Sequence, residues 1–307
     1  MLVIYDYLRS YFSSSFKPVY FILVAALLSI LIYSNYYHPN SFNIYFSGSS
    51  GIKKFIGSYL LYFIPFAGAY LTQLFFYKTS YLSNPWLWVV ILLAPAFFSA
   101  RVNFDLHLLV MKTWVPGIHH SLLQCINWII RAFLLLFQVY ILWYIKERKR
   151  DPYYGSRRIN NLKPYFIILL CMVPLVLWAG TQHDFLNMYP RGKGLGTLDT
   201  LVRYFMIALF EFCYGLDFIS IEFFFRGFLV VSLIRTCGMQ CILPAACFYC
   251  CIHFGKPMAE AISSFFGGML LGIISYHTKS IWGGLVVHVG IAWCMELAGF
   301  LGNYLYS

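Results

Sequence analysis

Apolar runs long enough to cross about 30 Å of hydrocarbon, at about 1.5 Å of helix rise per residue, recur along this chain. The clearest cover residues 19–36, 55–77, 85–100, 122–145 and 164–180, each flanked by Lys, Arg, Asn, Pro or Trp. A backbone in lipid must satisfy its own hydrogen bonds, which leaves helices or closed barrels, and the alternating pattern of barrel strands is missing. Composition points the same way: 11% of the 307 residues are charged and 61% are hydrophobic, where a soluble domain carries about a quarter charged residues. The sequence therefore predicts an all-α polytopic transmembrane bundle of about eight or nine membrane helices.

The formal net charge of +11 raises nucleic acid as a partner, but the basic residues are dispersed among spans and short loops, a distribution that fits the positive-inside rule instead. Residues 146–163 hold the densest group, "KERKRDPYYGSRRINNLK", and are predicted to face the cytoplasm. Four spans precede this loop, so the N-terminus with Arg9 and Lys17 is placed on the same side. Lys53, Lys54, Arg101 and Lys112 run against that orientation. The first fifteen residues contain Asp6 and Arg9 and no continuous apolar stretch, so the first span reads as a retained anchor and not as a cleavable signal. The nine cysteines lie in or beside apolar segments without paired CxxC units, and read as small packed hydrophobes.

The polar, glycine-rich stretch 181–200 reads as a loop. It divides the chain into scaffold helices over 1–180 and a core over 200–305. Within that core Glu211, Asp217, Glu222, Arg226, His253, Glu260, His288 and Glu296 interrupt the apolar density. Ionisable residues inside a membrane are functional candidates by default.

Three features carry the chemistry. In "SIEFFFRGFL", residues 220–229, Glu222 and Arg226 stand four apart, one helical turn, where they neutralise each other in lipid. A buried pair is seldom a net source of stability, which favours a functional reason for keeping it. In "FYCCIHFGKP", residues 248–257, His253 precedes Gly255 and Pro257, which signal a break at the histidine. In "SIWGGLVVHVGIAWCMEL", residues 280–297, His288 lies in mid-helix with Ala292 and Glu296 one and two turns on. Between the last two, Ser263, Ser264, Gly267, Gly268 and Gly272 predict close helix packing. One glutamate and two histidines on three neighbouring helices supply a base, a water-orienting group and an oxyanion donor, the parts of a peptide hydrolase. No cofactor is required for that chemistry. Zinc held by Glu222, His253 and His288 is the alternative the residue types leave, although no HExxH spacing is present.

The order of these motifs resembles the CAAX protease and bacteriocin-processing (CPBP, Abi) family of intramembrane endopeptidases, which shows EExxxR, then FxxxH, then HxxxN. The counterparts are "IEFFFR" at 221–226, "YCCIH" at 249–253 and "HVGIA" at 288–292. The resemblance covers roughly residues 200–300. It implies an intramembrane endopeptidase with Glu222, His253 and His288 as catalytic residues, supported by Arg226 and Tyr249; convergence of the three on one hydrated pocket open to the cytoplasmic side is the arrangement that supports the site. The first glutamate of the family pair falls on Ile221 and the asparagine on Ala292, so two of the expected catalytic side chains are replaced. Asp217, one turn before Ile221, is the reserve carboxylate for the vacant position, and Glu211 is another.

Two functions follow. One is a peptidase acting on a peptide or membrane-anchored protein from within a multi-pass membrane location, by the resemblance a bacterial inner membrane. The other is a catalytically silent member of the same fold that binds a peptide as an immunity or assembly factor. Transport ranks below both, because no paired broken helices recur in the two halves. Membrane lipid is the other expected partner and nucleic acid is not; oligomeric state is not legible.

Overall fold

A computed structural model describes residues 2–38, 51–105, 111, 113, 120–148, 153–159, 161–192 and 200–306. Lys112 and the parts of the two polar connections at 149–152, 160 and 193–199 lie outside the described residues. Helix α1 covers Leu2–Ser14, α2 Pro18–Tyr37, α3 Ile52–Thr72, α4 Pro85–Asn103 and α5 His120–Lys146. After the basic loop come α6, Lys163–Ala179, and the short α7, His183–Met188. The core consists of α8, Thr200–Glu222, the brief α9, Ile242–Cys251, then α10, Met258–Thr278, and α11, Trp282–Tyr306.

Among the described residues there is no strand beyond two isolated bridges, Ser156 with Ser280 and Phe254 with Lys256. Among the described residues six helices are long and apolar enough to cross a membrane: α2, α3 with its 3₁₀ extension, α4, α5, α10 and α11. The eight or nine expected are not reached among these residues. α6 is apolar but only 17 residues long; α8 has the length but holds Arg203, Glu211, Asp217 and Glu222; α9 stops after 10 residues. The all-α polytopic architecture stands, and the chain is an integral multi-pass membrane protein.

The bundle has two ends. At one, the 153–159 segment lies across the start of α11: Ser280 Oγ donates to the Arg157 carbonyl, Ile281 N to the Gly155 carbonyl at 3.0 Å, and Trp282 Nε1 to the Ser156 carbonyl at 3.2 Å. At the other, Asn303 donates to the Tyr189 carbonyl at 2.9 Å, and the Tyr36 hydroxyl to the Lys256 carbonyl at 2.8 Å. Scaffold and core share one interior. Phe66 of α3 and Phe98 of α4 meet Phe248 of α9 with ring centroids 5.5 and 5.8 Å apart, and Phe98 meets Phe224 at 5.5 Å. Large rings dominate such a core because each buries much apolar area and packs favourably edge to face.

The small residues of α10 act unequally. A Cβ on Gly268 would lie 3.0 Å from the Tyr249 ring and 3.4 Å from the Ala246 Cα, whereas a Cβ on Gly267 would meet nothing within 4 Å. Gly268 thus lets α9 approach and seats Tyr249. Gly268→Val is expected to destabilise the protein by about 1–3 kcal/mol through overpacking, while Gly267→Ala leaves stability unchanged or slightly raised. Thermal unfolding of the two variants in detergent measures the difference; equal behaviour would contradict this packing.

Candidate active site

The helix carrying Glu222 does not continue as a plain α-helix. From Phe223 to Phe228 it widens into a π-helical turn, in which Leu229 N donates to the Phe224 carbonyl at 2.9 Å. Such turns recur at functional sites because they re-aim side chains without ending a helix. Here the turn presses Phe224, Phe225 and Phe228 into the aromatic core, each no more than 1% exposed. Glu222 and Arg226 are left together on the inner side, 0% and 1% exposed.

Glu222 Oε1 receives two partners: His288 Nδ1 at 2.9 Å and Arg226 Nη1 at 3.4 Å. Its Oε2 is buried without a hydrogen-bond partner. Gly284 covers that oxygen, since a Cβ there would stand 2.5 Å from it. On the far side of the His288 ring, Nε2 lies 3.0 Å from the Tyr249 hydroxyl. With the carboxylate ionised, Nδ1–H donates to Glu222, and Nε2 accepts the Tyr249 proton. A chain of hydrogen bonds therefore runs Glu222, His288, Tyr249.

His253 follows the last turn of α9. Its Nδ1 is 2.8 Å from the Tyr249 carbonyl. A carbonyl only accepts, so Nδ1 carries the proton and Nε2 is left as an acceptor. The Arg226 guanidinium lies over the Tyr249 ring at 4.3 Å, a cation–π distance, and none of its nitrogens makes a hydrogen bond. Tyr249 thus touches His288 through its hydroxyl, Arg226 through its ring and His253 through its carbonyl.

A cavity of about 440 Å³ opens above these residues. Arg226, Tyr249, His253 and His288 form its polar floor, and Met172, Leu175, Trp178, Ile291 and Met295 are among its apolar walls. The lining extends to Gln182, Asp184, Tyr189 and Lys256, toward the end of the bundle opposite the 153–159 segment.

The sequence-derived candidates divide accordingly. Glu222, Arg226, Tyr249, His253 and His288 come together, but Glu222 lies behind the cavity wall and not on it. Asp217 does not fill the vacant carboxylate position: Arg101 Nη2 donates to both its oxygens, at 2.6 Å for Oδ2, in a well-buried ion pair. Ile221 is buried in the aromatic core, and Ala292 stands on the cavity wall. Glu211 has a buried Oε2 without a partner. Among the described residues no group of three or more His, Cys, Asp or Glu is disposed to hold a metal, so Glu222, His253 and His288 do not form the zinc ligand set their types allow.

Two polar features were not anticipated from the sequence. Lys256 Nζ bonds Glu260 at 2.6 Å, an i,i+4 pair whose spacing was readable, and the Tyr189 hydroxyl reaches the same carboxylate at 3.2 Å. Burial lowers the pKa of the Lys256 ammonium, with Glu260 opposing the shift. Arg191 N also bonds Glu296 at 2.9 Å, which pins the 189–191 segment to α11 at that end of the cavity. Nothing in the local sequence pairs residues 105 positions apart.

Residues 198–294 match the family model described as type II CAAX prenyl endopeptidase, Rce1-like. This region is similar to that family. The match contains all five clustered residues and both replaced positions, Ile221 and Ala292. No curated protein and no solved structure matches the chain. The matched region begins at the start of α8 and ends inside α11.

The burial of Glu222 bears directly on how its variants behave. Replacing it by Gln leaves Arg226 buried without a counter-charge, a loss of about 3–5 kcal/mol for breaking a buried pair, so the fold does not tolerate the change as lightly as the isosteric shape suggests. Tyr249→Phe leaves the His288 ring nitrogen unpaired, at about 1–3 kcal/mol. Unfolding in detergent should rank Glu222→Gln as the more damaging; the reverse order would mean that the carboxylate is hydrated and not sealed.

Proposed function

We propose that this protein is an intramembrane endopeptidase of the CAAX protease type that hydrolyses a peptide or membrane-anchored protein, with a histidine-activated water as nucleophile. The observation that carries this reading is the hydrogen bond from His253 Nδ1 to the Tyr249 carbonyl, which leaves Nε2 as an acceptor on the polar floor of a cavity with apolar walls beside it. His253 Nε2 takes a proton from water, and the water oxygen attacks the peptide carbonyl. Negative charge then develops on the carbonyl oxygen, where the uncommitted donors of Arg226 stabilise it, while the Tyr249 hydroxyl stays bonded to His288. The proton passes from His253 to the leaving amine as the C–N bond breaks. Glu222 acts through His288: it fixes the ring tautomer and holds Tyr249 in place, as a positioning residue and not as the base.

On this reading His253→Ala abolishes turnover of a membrane-peptide library, measured by mass spectrometry of products, and leaves the fold intact. His288→Ala lowers turnover without abolishing it, because it releases Tyr249 and Glu222 from the hydrogen bonds that hold them. Retained cleavage in His253→Ala would remove the mechanism. The second reading, a silent peptide-binding member, is favoured by Ile221 and Ala292, which put apolar groups where the family pattern has catalytic ones. It gains if the natural protein cleaves nothing and Ile221→Glu with Ala292→Asn creates activity.

The same reading sets where substrate arrives. The basic 146–163 loop marks the cytoplasmic end by the positive-inside rule, and the cavity lining extends toward the other end, so substrate enters from the non-cytoplasmic side. In cysteine-free protein, Gln182→Cys at that end is expected to react with an impermeant maleimide added to intact cells, and Ser156→Cys only after permeabilisation. The opposite labelling pattern would reverse the assignment.

A further inference from the structure

A second cavity, of about 610 Å³, lies at the loop end of the bundle, remote from the site above. Four cations from four separate segments line it: Lys146 at the end of α5, Arg157 in the connection, Arg235 before α9, and Lys279 beyond α10. Each is exposed, and among the described residues Glu147 is the one acidic residue on the wall. Like charges gathered at the edge of a low-dielectric slab favour an anion among them.

Two further observations point to a ligand. Trp86, on the same wall, has its indole Nε1 buried with no acceptor. Such a donor costs about 1–3 kcal/mol if left unmade, and the Lys146 ammonium stands 5.7 Å above the same ring. Lys279 holds a left-handed backbone, φ 53°, as the cap of α10. That is a position at which glycine or asparagine is usual, so a lysine there is kept at a conformational cost. The level of the cavity is set by the helices: α4 begins there while α5 and α10 end, which is the headgroup region of a bilayer.

We propose that this cavity binds a phosphate-bearing anion, supplied by the headgroup of an anionic phospholipid in the adjacent leaflet. Basic pockets between membrane helices on the cytoplasmic side suit such headgroups, and a phosphate offers oxygen acceptors to the four cations and to Trp86 Nε1 together. Occupancy also ties the 153–159 segment, which Arg157 belongs to, to α5 and α10.

The test uses the full chain in nanodiscs of phosphatidylcholine alone, or of phosphatidylcholine with phosphatidylglycerol, and in the first kind with added inorganic phosphate. Phosphatidylglycerol is expected to raise Tm by several degrees, to appear as retained adducts several-fold more often than phosphatidylcholine in native mass spectra, and to lose effect as salt rises. The triple variant Arg157→Gln, Arg235→Gln, Lys279→Asn keeps a residue suited to the left-handed cap and loses the increment. If it does not fold, Arg235→Gln and Lys146→Gln singly are expected to halve the increment or more. A rise with inorganic phosphate and none with phosphatidylglycerol identifies the ligand as a free phosphate species and retains the site. No rise with either, or an equal rise in the charge-neutralised variants, overturns it. None of these readouts involves peptide cleavage.

Discussion

The carboxylate of Glu222 is the constraint around which the core is arranged. An ion with no exposed surface in an aromatic interior has to be compensated on the spot, because the desolvation cost is several kcal/mol per charge. Arg226 supplies the charge and His288 the hydrogen bond, both at Oε1. Each requirement recruits a helix: the π-helical turn keeps Arg226 on the inner side, Gly284 lets α11 close over Oε2, and Gly268 lets α9 bring Tyr249 to His288. Three helices that would otherwise pack by apolar contact alone are held in one register by a single oxygen. Helix association in lipid lacks the hydrophobic drive available in water, so a polar tie of this kind carries more of the specificity.

That arrangement separates two roles that sequence reasoning merged. Spacing alone made Glu222 and Arg226 a same-face pair and placed both at the cavity. In three dimensions the guanidinium is on the cavity floor and the carboxylate is behind it. A charged donor without hydrogen-bond partners facing an apolar cavity has its binding capacity uncommitted, whereas a carboxylate held by two partners has spent most of its own. The pair thus presents net positive character to whatever occupies the cavity, although it is neutral as a unit.

Much of this was legible in the sequence. The spans at 19–36, 85–100 and 122–145 became helices with bounds a few residues wider, because a long apolar run in lipid has no other way to satisfy its backbone. The break after His253 was visible in Gly255 and Pro257. What could not be read was anything that depends on relative helix rotation. Asp217 belongs to Arg101, 116 positions away, and no local pattern announces it. The π-helical turn is invisible to a 3.6-residue period. Tyr249 looked like a conservative aromatic replacement, but its hydroxyl, which a phenylalanine lacks, links the histidine to the rest of the group. The direction in which the cavity extends required knowing that residues 153–159 lie across one end.

Ile221 and Ala292 fit this geometry in different ways. Ile221 faces the aromatic core and is only 6% exposed, so a second carboxylate there would sit beside Glu222 in low dielectric, with one guanidinium to serve both. Two carboxylates in such a place cannot both ionise without raising the pKa of one. A pair of that kind suits a proton acceptor tuned upward. A single carboxylate paired with Arg226 and bonded by His288 suits a structural anion, which is how Glu222 is built. Ala292, by contrast, lines the cavity, and the alanine there removes a polar side chain from the wall. The two replacements therefore shift the polar chemistry of the site in one direction, away from α8 and α11 and onto Tyr249 and His253, with the Arg226 guanidinium beside them on the floor of the cavity.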